Sequence, residues 1–401
     1  MTIDFPHARR GQLHYDFAGN RTSKTNYLNG TTWNYGYDAI YELLQVTHGG
    51  STKESFSYDA VGNRLSSLSV PSYSYNSSNE LTANSNGSYT YDANGNTLTD
   101  ASGKSYTWDF DNRLVQAVVP GTNGGTTTFK YDPFGRRIQK SGPLGTTNYL
   151  YDGQDISSNV IEEIDDYGNA LARYTQGPGI DRPLAEFTSG AASYYEADAL
   201  GSVTSLSNPA GVAVNTYSYD SFGNLTTSAG TIMNHFKYTG REFDTETGLN
   251  FYRARYYSNA TGRFVSEDPI GFEGGNDFYA YVRNNPTLWI DPLGLVSCTY
   301  DVIGHHYHCT SDDGSQSFDT TQVRSGNGSC MNNPACNSTR NKGPIPPGRY
   351  SMGGNGRYTQ PTSHSSRLSD ADEGHDHFWP RLVRGSPRRR QQLRRLHHPR
   401  P

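Results

Sequence analysis

The first 297 residues of this 401-residue chain contain no cysteine, and all four cysteines fall between Cys298 and Cys336. Most of the protein is therefore held together without disulfides. Residues of the AVILMFWYC set make up only 33% of the chain, too few for a large aliphatic core. No apolar run approaches the ~18 residues needed to cross a bilayer as a helix. The opening Met1-Thr2-Ile3-Asp4-Phe5-Pro6 lacks the apolar core of a secretion signal, so no signal peptide is visible. Apolar stripes at helical spacing are scarce before residue 296, with Ala39–Gln45 the one modest candidate. Net charge is −5, so the whole chain does not advertise nucleic-acid binding, and nucleic acid is set aside as a partner. These absences argue against a helical bundle, a membrane-spanning helix and a compact α/β enzyme.

What the chain has in excess is glycine (43) and tyrosine (30). Tyrosine buries its ring while keeping its hydroxyl hydrogen-bonded or wet, which suits a large β-structure with a polar lining. Many tyrosines belong to a recurring motif. Tyr58-Asp59-Ala60-Val61-Gly62-Asn63-Arg64-Leu65 returns as Tyr91-Asp92-Ala93-Asn94-Gly95-Asn96-Thr97-Leu98. Degraded copies begin at Tyr75, Trp108, Tyr131 and Tyr219, and the starts from Tyr58 to Tyr131 lie 17, 16, 17 and 23 residues apart. Aromatic, then Gly/Asn/Asp turn, then apolar residue is a strand–turn–strand grammar. A near-fixed short period predicts a mainly β, solenoid-like array in which each unit buries its apolar face against its neighbours. The rhythm breaks at Ile156–Ala185, which predicts a longer hairpin there. Repeats begin almost at once, at Tyr15-Asp16, an array without an N-terminal cap, as expected of the back end of a longer protein or a displaced cassette.

Three changes of character divide the chain. Residues 1–230 are the repeat array. Residues 231–295 are denser and carry Gly240-Arg241, Phe251-Tyr252-Arg253-Ala254-Arg255-Tyr256-Tyr257, Gly262-Arg263-Phe264, Asp268-Pro269-Ile270-Gly271, Asn285-Pro286 and Asp291-Pro292-Leu293-Gly294-Leu295. With the Tyr-Asp units, this series resembles the Rhs/YD-repeat polymorphic toxin family and its repeat-associated core. The resemblance implies a β-strand spiral with the core domain closing one end around a C-terminal toxin. This many repeats supply too few strands for a full cage, so the shell is expected to be partial and open. It also implies self-cleavage after the last Leu of the core, which is the bond Leu295–Val296. An immunity protein, a secretion-system component and contact-dependent delivery of a protein made in the cytoplasm come with that family. Residues 296–380 would be the variable toxin, small and partly disordered, and residues 381–401 an Arg-rich disordered end.

The core residues suggest a chemistry of their own. Asp268-Pro269 and Asp291-Pro292 lie 23 residues apart. Two carboxylates brought close cannot both ionise, so one keeps its proton as an acid while the other activates water. No Ser/His or Cys/His pair stands out, and no metal or cofactor is expected. Arg263 is the candidate to hold one carboxylate ionised. Two alternatives stay open: both aspartates could simply start turns, and Glu267 is a competing carboxylate.

In the tail, Ser325-Gly326-Asn327-Gly328, Asn332-Asn333-Pro334-Ala335-Cys336 and Asn341-Lys342-Gly343-Pro344-Ile345-Pro346-Pro347-Gly348-Arg349-Tyr350 resemble part of L,D-transpeptidase-like effectors that attack peptidoglycan. That chemistry needs a thiolate beside an imidazole, yet no cysteine follows Cys336. From Arg381 on there are eight arginines and no acid, which reads as a shifted frame, so the toxin is expected to be inactive. Cys298, Cys309, Cys330 and Cys336 are disulfide candidates with three possible pairings. His305, His306 and His308 with Cys309 fit no zinc spacing. The competing reading of the whole is an adhesive, wall-associated repeat protein that binds carbohydrate without cleavage.

Overall fold

The computed structural model describes residues 2–4, 11–26, 30–122 and 124–295, and after them the backbone of five short strands between 297 and 359. Strands follow chain order in each sheet. Seven run from Thr2–Asp4 to Arg64–Ser67, and fourteen from Thr90–Tyr91 to Leu225–Ala229. Neighbours are antiparallel, so each strand pairs with those beside it in sequence. Among the described residues the helical stretches are three short 3-10 turns, Tyr238–Gly240, Gly271–Glu273 and Val282–Asn284.

The repeat motif builds one turn repeatedly. Asp59 Oδ1 accepts the amides of Val61 (2.9 Å), Gly62 (3.0 Å) and Asn63 (2.9 Å), and Oδ2 accepts Asn63 Nδ2 at 3.0 Å. Gly62 takes φ 101°, a conformation that penalises a side chain. Asp92 and Asp220 hold their turns through the same donors apart from the glycine amide, which in both goes to the backbone carbonyl of the aspartate. In degraded copies the geometry survives substitution. Asn76 replaces the aspartate, and Asn79 and Asn112 take the positive-φ place of glycine at 61° and 58°.

Two sequence expectations fail here for the same reason. The break at Ile156–Ala185 hides another copy: Asp165 Oδ1 accepts Tyr167 N at 2.9 Å and Asn169 N at 2.8 Å, and Gly168 has φ 83°. Ile164 stands where other units have tyrosine. The helix candidate Ala39–Gln45 is a turn closed on Asp38, whose Oδ1 accepts Ile40 N at 2.9 Å, followed by the strand Leu43–His48. Local side-chain acceptors override the apolar spacing at both places.

The aromatic residue ties each unit to the previous one. Tyr37, Tyr58, Tyr75, Tyr131, Tyr151 and Tyr219 donate their hydroxyls to the carbonyls of Arg21, Leu43, Arg64, Leu114, Arg137 and Val203, at 2.7–3.0 Å. Trp108 does the same through Nε1 to Thr97 O at 2.7 Å. Every acceptor is the first residue of the strand after the preceding turn. A register shift sits just before each of these aromatics. The extra residue bends the strand and aims the ring over its neighbour.

The winding comes back on itself. Glu54 accepts Ser221 N at 3.1 and 3.2 Å and Ser221 Oγ at 3.1 Å, across 167 residues. Phe56 meets Phe222 edge-on at 5.0 Å, with the Arg64 guanidinium 4.6 and 4.2 Å from the two ring centroids. The open shell expected from the sequence is therefore joined to itself at this seam. A four-stranded sheet, Glu242–Asp244, Leu249–Tyr252, Arg255–Ser258 and Arg263–Phe264, packs against the wall. Leu249, Phe251, Tyr256 and Val265 of that sheet region share one apolar cluster with Tyr106, Leu114, Ala117 and Phe129 of the repeats.

Burial pushes the Tyr151 hydroxyl far above its usual range, so it remains a donor to Arg137 O. Tyr151→Phe keeps the ring and strands that carbonyl, and should cost about 1–3 kcal/mol with unchanged far-UV circular dichroism. An unchanged urea midpoint would show that the bond adds nothing beyond the ring.

Candidate active site

The site is built by a tight hairpin and two turns. Tyr252 pairs with Arg255 across the hairpin, whose Arg253 takes φ 58°. The bend sends the two arginines to different places. Arg253 reaches outward to the repeats, donating to Ile156 O (2.6 Å), Ser158 O (3.0 Å) and Asp181 Oδ1 (3.0 Å). Arg255 turns toward the two Asp-Pro turns, with its guanidinium carbon 3.6 Å from the centroid of the Phe264 ring.

One nitrogen, Arg255 Nη2, lies 2.8 Å from Asp268 Oδ2 and 3.3 Å from Asp291 Oδ2. Its Nε donates to Gly294 O at 2.7 Å and its Nη1 to Phe278 O at 2.9 Å. Asp268 and Asp291 are 8% and 2% exposed, so bulk water screens neither. Each carboxylate divides its oxygens between two tasks. Asp268 Oδ1 accepts Ile270 N at 3.1 Å, and Asp291 Oδ1 accepts Leu295 N at 3.0 Å. The turn reading of these aspartates is thus also present in the geometry, on the other oxygen. Burial pushes Asp291 up to about 6; Arg255 opposes that shift and Asp268 reinforces it. A buried acid with one cation shared between two carboxylates can hold a proton near neutrality.

The loop that leads to Asp291 is fastened to the repeat turns. Asn284 Nδ2 donates to Glu42 Oε1 (2.9 Å) and Gly62 O (2.7 Å), Asn285 Nδ2 to Asn20 Oδ1 (2.8 Å), and Tyr279 Oη to Gly95 O (2.8 Å). Thr287 Oγ1 meets Tyr37 Oη at 2.6 Å.

Arg263 stands elsewhere. It grips Asp277 through two bonds of 3.0 and 3.1 Å and also reaches Asn63 Oδ1 and Asn79 O. Arg255 occupies the position the sequence reading gave to Arg263. Every arginine in this aromatic stretch is a candidate by composition, and spacing does not choose among them. The deciding feature is the hairpin between Tyr252 and Arg255. Glu267 faces away from the pair, toward Gly95 and Tyr279, and burial raises it with help from Glu80 and Asp92. Leu295 is half-buried, whereas Val296, Cys330, Cys336, the Gly343–Tyr350 series and the Arg-rich end lie outside the described residues. Cys298 and Cys309 are register partners in the antiparallel strands Ser297–Asp301 and His306–Thr310. Among the described residues no group of His, Cys, Asp and Glu has a metal-holding arrangement, and no helix is long and apolar enough to cross a membrane.

Comparison with known proteins places this geometry in context. The tRNA nuclease WapA of Bacillus subtilis is 35% identical over 272 residues, covering 64% of this chain and 12% of that protein. The double-stranded DNA deaminase toxin A of Burkholderia cenocepacia is 27% identical over 314 residues, covering 70% of this chain and 22% of that protein. The chain thus spans less than a quarter of the length of either relative. The crystal structure of TcdB2-TccC3 aligns over 71% of this chain and 20% of that chain, with TM-score 0.40 and 19% identity. These relatives overturn the exclusion of nucleic acid as a partner, since both are named for acting on it. The reason is arithmetic: a net charge of −5 sums the whole chain and says little about a small C-terminal segment. A Tlde1 domain model matches residues 319–388. The Teneurin YD-shell model matches residues 2–287 of the 401, and the chain belongs to that family.

Proposed function

We propose that this chain is a self-cleaving toxin carrier of the Rhs type, which cuts its own backbone between Leu295 and Val296. The segment after the cut is then the effector, delivered out of the producing cell. The observation that carries this reading is the pair of buried carboxylates on one guanidinium, with the Leu295 amide bound to one of them.

In this mechanism Asp268, which makes the shorter contact with Arg255, is the base. It takes a proton from a water whose oxygen adds to the Leu295 carbonyl carbon. Asp291, raised by burial, is the acid and gives its proton to the nitrogen of Val296. The carbon–nitrogen bond breaks, leaving a carboxyl group on Leu295 and an amine on Val296. Arg255 acts as the orienting cation and fixes the approach through Gly294 O.

For the effector, the relatives named above make nucleic acid the first target class to test. The second reading is an L,D-transpeptidase-like effector, and it rests on the resemblance carried by the Gly343–Tyr350 series. Assaying the released segment against tRNA, double-stranded DNA and isolated cell wall separates the two. The lack of any cysteine after Cys336 leads us to expect no thiolate activity on cell wall.

Purified protein should separate into two fragments on a denaturing gel, while Asp268→Asn and Asp291→Asn each stay whole with unchanged circular dichroism. A single wild-type species of 44.3 kDa, stable for days, would sink the reading and favour an uncut adhesive array. The pH dependence has a definite sign. Asp291 acts protonated, and its carboxyl is pushed up to about 6, so the rate should drop about tenfold per pH unit above that value. A rate that is flat or rising from pH 6.5 to 8.5 would remove Asp291 from the acid role.

A further inference from the structure

The seam that joins the winding to itself borders a cavity of about 190 Å³, and Arg64 stands in its wall. Three parts of the chain meet there: the strands Ser51–Tyr58 and Arg64–Ser67, the turn from Asp220 to Asn224, and the loop at Ala260. Arg64 is only 4% exposed, and its guanidinium lies against the rings of Phe56 and Phe222. Its Nε and Nη2 have no hydrogen-bond partner among the described residues. A buried donor without an acceptor is costly, and more so on a charged group.

The identity of the two nitrogens is informative. Nε and Nη2 share one edge of the guanidinium plane, the edge that offers two parallel N–H donors to a planar oxyanion. The acidic residues beside the cavity have their oxygens engaged elsewhere. Glu54 accepts Ser221 N and Oγ, and Asp220 accepts Phe222 N, Asn224 N and Asn224 Nδ2. Burial and the nearby Asp220 push Glu54 up to about 7, and burial raises Asp220 as well. A second negative charge on an occupant would meet both of these acids, so a monoanion suits the site better than a phosphate dianion. Phe56, Phe222 and Leu68 supply apolar surface for the rest of the molecule.

We propose that the seam cavity is a binding site for a small organic carboxylate with an apolar body, received by the Nε–Nη2 edge of Arg64. The inference is independent of self-cleavage and holds whether or not the chain cuts itself. Because the walls come from residues 53–69 and 220–224, an occupant ties the first sheet to the end of the second. Binding therefore stabilises the joined winding by mass action.

The test titrates benzoate, acetate and inorganic phosphate into the full-length chain, read by calorimetry and by the thermal unfolding midpoint. Benzoate should bind saturably and raise the midpoint. Acetate, which lacks the ring, and phosphate should each bind about 10-fold more weakly or worse. Arg64→Lys keeps the charge but loses the fork, and should weaken benzoate about 10-fold or more. Ala260→Leu fills the exposed rim of the cavity. It should weaken benzoate to a similar degree while unfolding like wild type in the absence of ligand. If Arg64→Lys does not fold, Ala260→Leu decides alone. Absence of saturable benzoate binding to wild type would overturn the proposal, as would undiminished binding to Ala260→Leu. Phosphate binding more tightly than benzoate would overturn the carboxylate assignment.

Discussion

A chain with so few aliphatic residues must build its interior from tyrosine and arginine, and that places every buried polar atom under obligation. A tyrosine ring contributes buried area only if its hydroxyl finds an acceptor. For Tyr37, Tyr58, Tyr75, Tyr131, Tyr151 and Tyr219 the acceptor is the carbonyl that opens the strand after the previous turn, from Arg21 for Tyr37 to Val203 for Tyr219. Packing between units and satisfaction of the backbone are therefore one contact. The same contact fixes register, because a slip by one residue would carry the ring to the opposite face.

Arginine is used under the same obligation. Arg137, 1% exposed, joins the repeat wall to Glu242 and Asp244 of the core sheet while stacking 4.3 Å from the Phe251 centroid. Arg241 and Arg253 both pair with Asp181. Buried pairs add little net stability against an apolar substitute, but removing one partner is expensive. Their effect here is to specify which repeat turn meets which core residue. At Asp181 two guanidinium groups serve one carboxylate; at Asp268 and Asp291 one guanidinium serves two. Arg137 also faces two buried carboxylates, but there Arg137 and Lys140 together hold Asp244 low against burial, whereas burial and Asp268 push Asp291 up. That difference separates the candidate site from a clamp built of the same residues.

The fold class was legible because its signal is local. Asp59 contacts amides two to four residues away, so the turn is written in the motif itself. The pairing of Asp268 with Asp291 was also within reach, since two Asp-Pro turns in one short segment invite comparison. Arg255 was not legible, because its choice over Arg263 depends on a hairpin bend and on Asp277, which claims Arg263 first. The seam between Glu54 and Ser221 was equally hidden. It depends on the accumulated twist of strands over 167 residues, and no single unit records that sum. The hidden copy at Asp165 escaped notice because the aromatic had been replaced, while the donors that make the turn had not.

The two readings of the Asp-Pro turns, capping and chemistry, are compatible because a carboxylate has two oxygens. Asp291 Oδ1 closes the turn on Leu295 N while Oδ2 faces Arg255. On the self-cleavage reading, the turn geometry sets the direction of the reactive oxygen, and the backbone to be cut is itself part of the turn. In such a site substrate and catalyst are one covalent segment, so the entropy of bringing them together is met during folding. Accuracy of the fold then becomes accuracy of the chemistry. That explains why a loop with little regular structure is fastened at Asn20, Glu42, Gly62 and Gly95. The repeat turns, which look like scaffolding in the sequence, are what fastens the loop that leads to Asp291.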